Sequence, residues 1–284
     1  MYRFIYCLLG IILLQSCEDV IEVDLPTETS RLSVDAVLRM DTSEPITTAQ
    51  IKLNLTSSFF EENNPLSNAE VRIRNLDFVS DNSLESNEIN LAEVSPGTYE
   101  ATRNTTFFTS GQLALFINFN NEQYYATTSF VPTSPIESVV QGEETLFTGD
   151  ETEIIISFTD DGTRDDFYIF DFGFNEFLVT EDEFYQGQRF EFSYFYEDIE
   201  PGQEMTISIL GADESFYNYM NQIIVQAGGD QGPFQTPAAT VRGNIFNVTG
   251  IANPEELESI GQNNDFPLGY FAVVQEFKRT IEIE

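Results

Sequence analysis

The sequence predicts a mainly β protein of two β-sandwich-like domains, the second carrying one amphipathic helix. Three observations predict it. Apolar and polar residues alternate with period two in short runs from Arg31 to Phe130, the mark of half-buried strands. Those runs are separated by clusters rich in Pro, Gly and Asn, as short strands joined by turns require. One longer stretch, residues 213–227, has helical spacing instead.

The chain opens with the layout of a bacterial export signal over residues 1–16. Arg3 is followed by an apolar run from Phe4 to Leu14 and a small residue, Ser16. The run is too short to cross a bilayer as a helix, which takes roughly 20 apolar residues. Leu13-Leu14-Gln15-Ser16-Cys17 resembles the lipobox read by the lipoprotein signal peptidase. Cleavage there would leave Cys17 as the lipidated first residue, carrying diacylglycerol and palmitate. Glu18 and Asp19 resemble the acidic export signal that sends Bacteroidetes lipoproteins to the outer face of the outer membrane. In enterobacteria an acid at that position points instead to the inner membrane. Residues 17–30 then read as an acidic tether.

From 31 to 133 the alternation is continuous enough to outline a first domain, an immunoglobulin- or transthyretin-like β-sandwich. Leu32, Val34, Ala36 and Leu38 share one face. The pattern recurs at Ile51/Leu53/Leu55, Ala69/Val71/Ile73, Thr98 to Ala101, Leu113/Leu115/Ile117 and Tyr124 to Phe130. Asp41 to Pro45, Glu61 to Pro65 and Ser95-Pro96-Gly97 punctuate it. The stretches around Ala69, Ser95 to Tyr99 and Tyr124 to Ala126 resemble those of transthyretin-like and carboxypeptidase-regulatory sandwiches. Val131-Pro132-Thr133-Ser134-Pro135 marks the domain boundary, because two prolines in five residues resist helix and central strand alike.

Residues 134–284 form the second domain. After apolar runs at Ile136 to Val140 and Ile154 to Phe158 comes the most aromatic part of the chain. Tyr168, Phe170, Phe172 and Phe174 fall on one face of a strand, and Phe190, Phe192, Tyr194 and Tyr196 on one face of another. If these strands pair, the rings make a cross-strand ladder. The ladder is either the buried face of the second sandwich or an exposed platform for glycan or protein. As a platform, these eight rings are the candidate binding surface. Phe216, Met220, Ile223, Ile224 and Ala227 then form the stripe of the helix at about 213–227. Asn253-Pro254-Glu255-Glu256 has the capping pattern of a second, short helix, and Leu268 to Glu284 returns to strand.

Composition narrows the chemistry. Twelve basic against 48 acidic residues give a net charge of −36 and a pI near 4.1, which excludes nucleic acid as a favourable partner. The chain is 41% hydrophobic and 13% aromatic, enough to build a core rather than remain disordered. It has no histidine, so His-based triads, imidazole metal sites and His proton shuttles are out. No G-x-S-x-G elbow and no G-K-[ST] loop occurs. A carboxylate pair for glycoside hydrolysis is not excluded by composition, since acids are plentiful. Asp160-Asp161-Gly162-Thr163-Arg164-Asp165-Asp166 is dense in oxygen ligands, but its spacing does not fit an EF-hand loop and a tight turn explains it. No catalytic residue, metal or cofactor is expected.

Cys17 to Pro26 followed by Arg31-Leu32-Ser33-Val34 resembles the start of the Bacteroidetes outer-membrane lipoproteins catalogued as domain of unknown function 4249. Phe216-Tyr217-Asn218-Tyr219, Gly232 to Pro237, Gly243-Asn244-Ile245 and Leu268-Gly269-Tyr270-Phe271 stand in that family's order. The segment around Ile251 to Phe266 is an insertion relative to it. The family has no established activity and supplies no catalytic residues. Its members are commonly encoded beside TonB-dependent outer-membrane transporters, so the resemblance implies a non-enzymatic accessory subunit of such a transporter, lipid-anchored in the outer membrane and exposed at the cell surface. A structural or adhesive envelope lipoprotein, and after it a carboxylate-based hydrolase, are the alternatives.

Overall fold

The alternating runs do form strands, and the chain is mainly β. A computed structural model describes residues 30–57, 64–79, 86–146, 149–197, 199–227, 240–254 and 266–284. The expected signal at 1–16, Cys17, Glu18, Asp19, the tether up to residue 29, the Gly232 to Pro237 stretch and Glu255-Glu256 lie outside the described residues. In chain order the first half forms β1 (Leu32–Met40), β2 (Ile46–Leu55), β3 (Asn64–Pro65), β4 (Glu70–Asn75), β5 (Glu88–Ser95), β6 (Thr98–Asn104), a short helix α1 (Thr105–Thr109), β7 (Gln112–Phe119) and β8 (Glu122–Val131). The second half forms β9 (Ile136–Gln141), β10 (Thr152–Thr159), β11 (Phe167–Asp171), β12 (Phe177–Glu181), β13 (Arg189–Tyr196), β14 (Glu204–Ala212), helix α2 (Glu214–Ala227), β15 (Phe246–Asn247) and β16 (Leu268–Glu282).

The first unit is not an open sandwich. Its sheet runs β16-β1-β2-β6-β5-β4-β7-β8, and β8 pairs again with β16, so eight strands close on themselves as a barrel. Period-two alternation reports that one face is buried, and it reads the same for a sandwich and for a barrel. Inside lie Leu32, Val34, Ala36, Leu38 and Met40 of β1, Ile51 and Leu53 of β2, Val71 and Ile73 of β4, and Leu113, Leu115 and Ile117 of β7. A barrel of this strand number is just wide enough for side chains to fill. Closure also removes the exposed edges of an open sheet. Helix α1, too short to show a period, adds buried Phe107 and Phe108 to the core.

β16 is the element that joins the molecule. Its first half pairs in parallel with β1, from Ser33↔Leu268 to Met40↔Gln275. Its second half pairs antiparallel with β14, from Leu210↔Glu276 to Glu204↔Glu282. At roughly 3.3 Å per residue this one strand runs through both units, and the sheet continues without a break through β14 and β11 to β12. A separate three-stranded sheet, β13-β10-β9, packs its aromatic face against β11, β14 and the end of β16 to enclose a second core. Two independent sandwiches, as the sequence suggested, therefore do not form. Arg39 of β1 ties the units further, with its guanidinium 2.7 Å from Asp171 and 3.3 Å from Glu276.

Candidate functional site

The aromatic ladder is interior. β11 pairs with β12 and β14, and β13 pairs with β10, so the two ring-bearing strands do not hydrogen-bond to each other. They face one another from opposite sheets. Phe172 stacks on Tyr194 at 3.7 Å between centroids, and Phe170 meets Phe192 edge-on at 4.9 Å. Tyr168, Phe170 and Phe172 are fully buried and Tyr196 nearly so, while Phe190, Phe192 and Tyr194 are half-buried against the same cluster. Phe174 leaves the ladder altogether. It follows β11 in a turn at φ 53 and is 63% exposed. Burying a ring of this size stabilises the fold by about 1.5–3 kcal/mol, and that gain is what holds the faces together. Tyr168, Phe170, Phe172 and Tyr196 are thus not a surface for any partner.

The acidic loop is a set of internal tethers. Asp160 is buried and accepts hydrogen bonds from the Tyr168 hydroxyl and, at 2.6 Å, from the Gly187 amide. Asp182 accepts from the Asp166 amide at 2.8 Å, and Arg164 donates to Asp166 at 2.9 Å. Burial raises the Asp166 carboxyl above its ordinary value, with Arg164 opposing that rise. Among the described residues no three acidic or thiol side chains converge on a point where a metal ion would sit.

The surface that stands out is a groove beside α2. The helix starts at Asp213, whose carboxylate accepts the Phe216 amide at 2.7 Å, an N-cap that satisfies a free helix donor. Its stripe turns Phe216 onto Tyr270 of β16 at 4.9 Å, and Tyr219 onto the same ring at 4.8 Å. Those contacts cover the outer face of β11, β14 and β16. Farther along, Ile223 and Ile224 are half-buried and Ala227 is exposed, so the stripe outruns the surface beneath it. There Val37, Tyr219, Met220, Ile223, Val241 and Leu268 line a cavity of about 480 Å³ with Asp35 at its side. Burial first, and the Asp35 charge second, push the Tyr219 hydroxyl up to about 12.

Two glycines set the floor. Gly269 has φ +100, and a Cβ there would lie 1.8 Å from the Val34 carbonyl oxygen. A Cβ on Gly243 would lie 1.7 Å from the Gly269 carbonyl oxygen. Only bare backbone lets these three segments touch. Ser33 and Val34, Tyr219, and Leu268 to Tyr270, from three of the described stretches on which the family resemblance rests, line this groove, and Gly243 of a fourth abuts Gly269. Sequence reading singled out each stretch but not their meeting. It also passed over Arg72 and Arg74, whose alternation with buried Val71 and Ile73 was visible.

The model of the family described as "Domain of unknown function (DUF4249)" matches residues 18–253. No curated protein matches the chain. Among solved structures, the purple acid phosphatase PPD1 from yellow lupin (Lupinus luteus) seeds is similar at 9% identity and a TM-score of 0.19, covering 65% of this chain and 38% of its own. The chicken interferon gamma receptor alpha chain is similar at 10% identity and a TM-score of 0.18, covering 66% of this chain and 90% of its own. The chain thus spans 38% of the phosphatase's length. Neither likeness bears on function at that score.

Proposed function

The chain belongs to the DUF4249 family, and from that premise we propose that it is a non-enzymatic, lipid-anchored accessory subunit of a TonB-dependent outer-membrane transporter in a Bacteroidetes cell envelope. The observation that carries this reading is the groove beside α2, an apolar, concave surface to which three of the family-like stretches contribute. Its occupant is a segment of the transporter's outward-facing surface that carries apolar side chains flanked by lysine or arginine. Apolar side chains match Met220, Ile223 and Val241, and basic flanks match Asp35 and a chain of net charge −36.

The Leu13 to Cys17 layout supports the anchor, and Glu18-Asp19 supports placement on the outer face. Three acyl chains on Cys17 hold a protein at a membrane durably, where a single chain would not. Anchoring also confines the protein to the surface that carries the transporter, which raises their effective concentration without any new contact. The mechanism is docking on a rigid β scaffold.

The test is an affinity pull-down of the tagged lipoprotein from gently solubilised outer membranes, with mass spectrometry of what co-elutes. A stoichiometric TonB-dependent transporter is the expected result. Recovery of the lipoprotein alone, from membranes in which other transporter complexes survive, overturns it.

A further inference from the structure

Strand β12 (Phe177–Glu181) ends the large sheet. It pairs with β11 on one side, and no strand among the described residues pairs with it on the other. The ladder shows which peptide groups this leaves over. At its two ends the Phe172 amide donates to the Glu176 carbonyl at 3.0 Å and the Asp182 amide donates to the Asp166 carbonyl at 3.1 Å. Bonded positions alternate along an antiparallel pair. Leu178 and Thr180 therefore turn their amides and carbonyls toward β11, while Phe177, Val179 and Glu181 turn theirs outward.

An open edge of this kind is a template for another strand, and proteins commonly blunt it with lysine, proline or a bulge. β12 has none of these. Phe177-Leu178-Val179-Thr180 is strongly strand-forming, and its register with β11 runs unbroken. Leu178 is 40% exposed on the strand and Phe184 84% exposed just beyond it. The free edge of the small sheet, β13, differs, because Arg189 sits there 2.7 Å from Glu191 and 3.4 Å from Glu137.

The charges around β12 lean one way. The carboxylates of Glu181 and Glu183 are exposed and have no partner among the described residues. Glu176 accepts from the Tyr194 hydroxyl and Asp182 from the Asp166 amide, hydrogen bonds that do not cancel their charge. The nearby guanidiniums bring no excess, since Arg39 has both Asp171 and Glu276, and Arg164 both Asp161 and Asp166. A second copy of this chain would bring an equally acidic edge and be repelled. A basic segment is attracted. Alternation places Glu181 on the same side of β12 as Phe177 and Val179, which pack toward α2, and Leu178 on the other side with Phe170. An added strand would set basic residues beside Glu181, with their aliphatic stems over Val179, and apolar residues beside Leu178.

We propose that β12 is a strand-addition site for an extended segment of a partner protein in which lysine or arginine alternates with apolar residues. Main-chain hydrogen bonds supply the affinity and the alternation supplies the specificity. β11 and β14 separate this edge from β16 and β1 of the groove beside α2, so it stands whether or not a transporter docks there.

Amide hydrogen exchange, read residue by residue by NMR on the full chain, tests it with a short peptide of alternating lysine and valine. The peptide is expected to slow exchange at Phe177, Val179 and Glu181 by roughly tenfold or more, and to slow Leu178 and Thr180, already bonded to β11, far less. A peptide of alternating glutamate and valine is expected to slow none of them. Val179→Pro removes an outward amide and no ladder bond, and is expected to weaken the lysine peptide by roughly tenfold or more. Its melting temperature reports whether the fold is kept. If it does not fold, Glu181→Lys must weaken the lysine peptide in its place. No slowing at the outward amides, equal slowing at outward and bonded amides, an equal effect of the glutamate peptide, or a folded Val179→Pro that binds as well as the parent each overturns the proposal.

Discussion

Asn244 and Phe271 are paired as two strands would be. The Asn244 side-chain amide donates to the Phe271 carbonyl at 2.8 Å and accepts from the Phe271 amide at 2.8 Å. Its amide also donates to the Thr127 carbonyl at 3.3 Å. β8 and β16 themselves pair only at Val273↔Phe130 and Val274↔Val131, so one side chain bridges the part of the barrel seam where backbone pairing is missing. Ile245, the next residue, is buried in the barrel core and anchors the bridge.

Asn244→Ala removes the bridge and leaves the Phe271 amide and carbonyl without that partner. A loss of about 1–3 kcal/mol is expected, read from urea denaturation. An unchanged midpoint for Asn244→Ala would show that the seam is held by its other contacts.

Gly269→Ala is expected to be worse. It adds a strained φ of +100 and drives a methyl into the Val34 carbonyl, so β1 and β16 must part. The expected cost exceeds about 2 kcal/mol, and the same denaturation series reads it.

Phe170 and Phe174 differ by four positions and by their whole environment. Phe170→Ala opens a cavity between the two sheets of the second unit and should cost about 3–5 kcal/mol. Phe174→Ala, at an exposed turn, should stay within about 0.5 kcal/mol. Equal effects would contradict the interior placement of the ladder.

Glu88 gives a pH dependence of defined sign. Burial pulls its carboxyl up, but hydrogen bonds from Arg74 and Arg72, with their charges, outweigh burial and hold it below the ordinary value. A carboxyl lowered by folding contributes stability that is fully present above its unfolded value, near 4.5, and is lost as pH falls through its folded value. Glu88→Gln should therefore be less stable than the parent at pH 7, and the difference should shrink below about pH 4.5. A difference that grows in acid would contradict the pairing.

How much of this was legible follows from what each signal measures. The alternation from Arg31 to Leu38 announced a half-buried strand correctly, because alternation depends only on which face is wet; the strand itself spans Leu32–Met40. It could not announce that β1 would pair in parallel with Leu268 to Gln275 at the far end of the chain, so the barrel read as a sandwich. The ladder residues were found for the same reason, but pairing is a long-range property and β11 and β13 turned out to oppose each other across sheets. Phe174 kept the period in sequence and lost it at Gly173, where the strand turns. The α2 stripe was visible because fourteen residues show a clear helical period, whereas the five of α1 do not. The groove depends on Gly243, Gly269 and Val34 coming together, and nothing local in any of the three stretches encodes that contact.

The most direct test of the transporter reading places a photo-crosslinking amino acid at Ile223, inside the groove, in cells expressing the protein. Val140, 48% exposed on β9, serves as the control position. Crosslinking to one TonB-dependent transporter from Ile223 and not from Val140 is the predicted result. Crosslinking from Val140 alone, or an Ile223 position that captures nothing in cells whose transporter is expressed, would contradict the assignment of the groove as the docking surface.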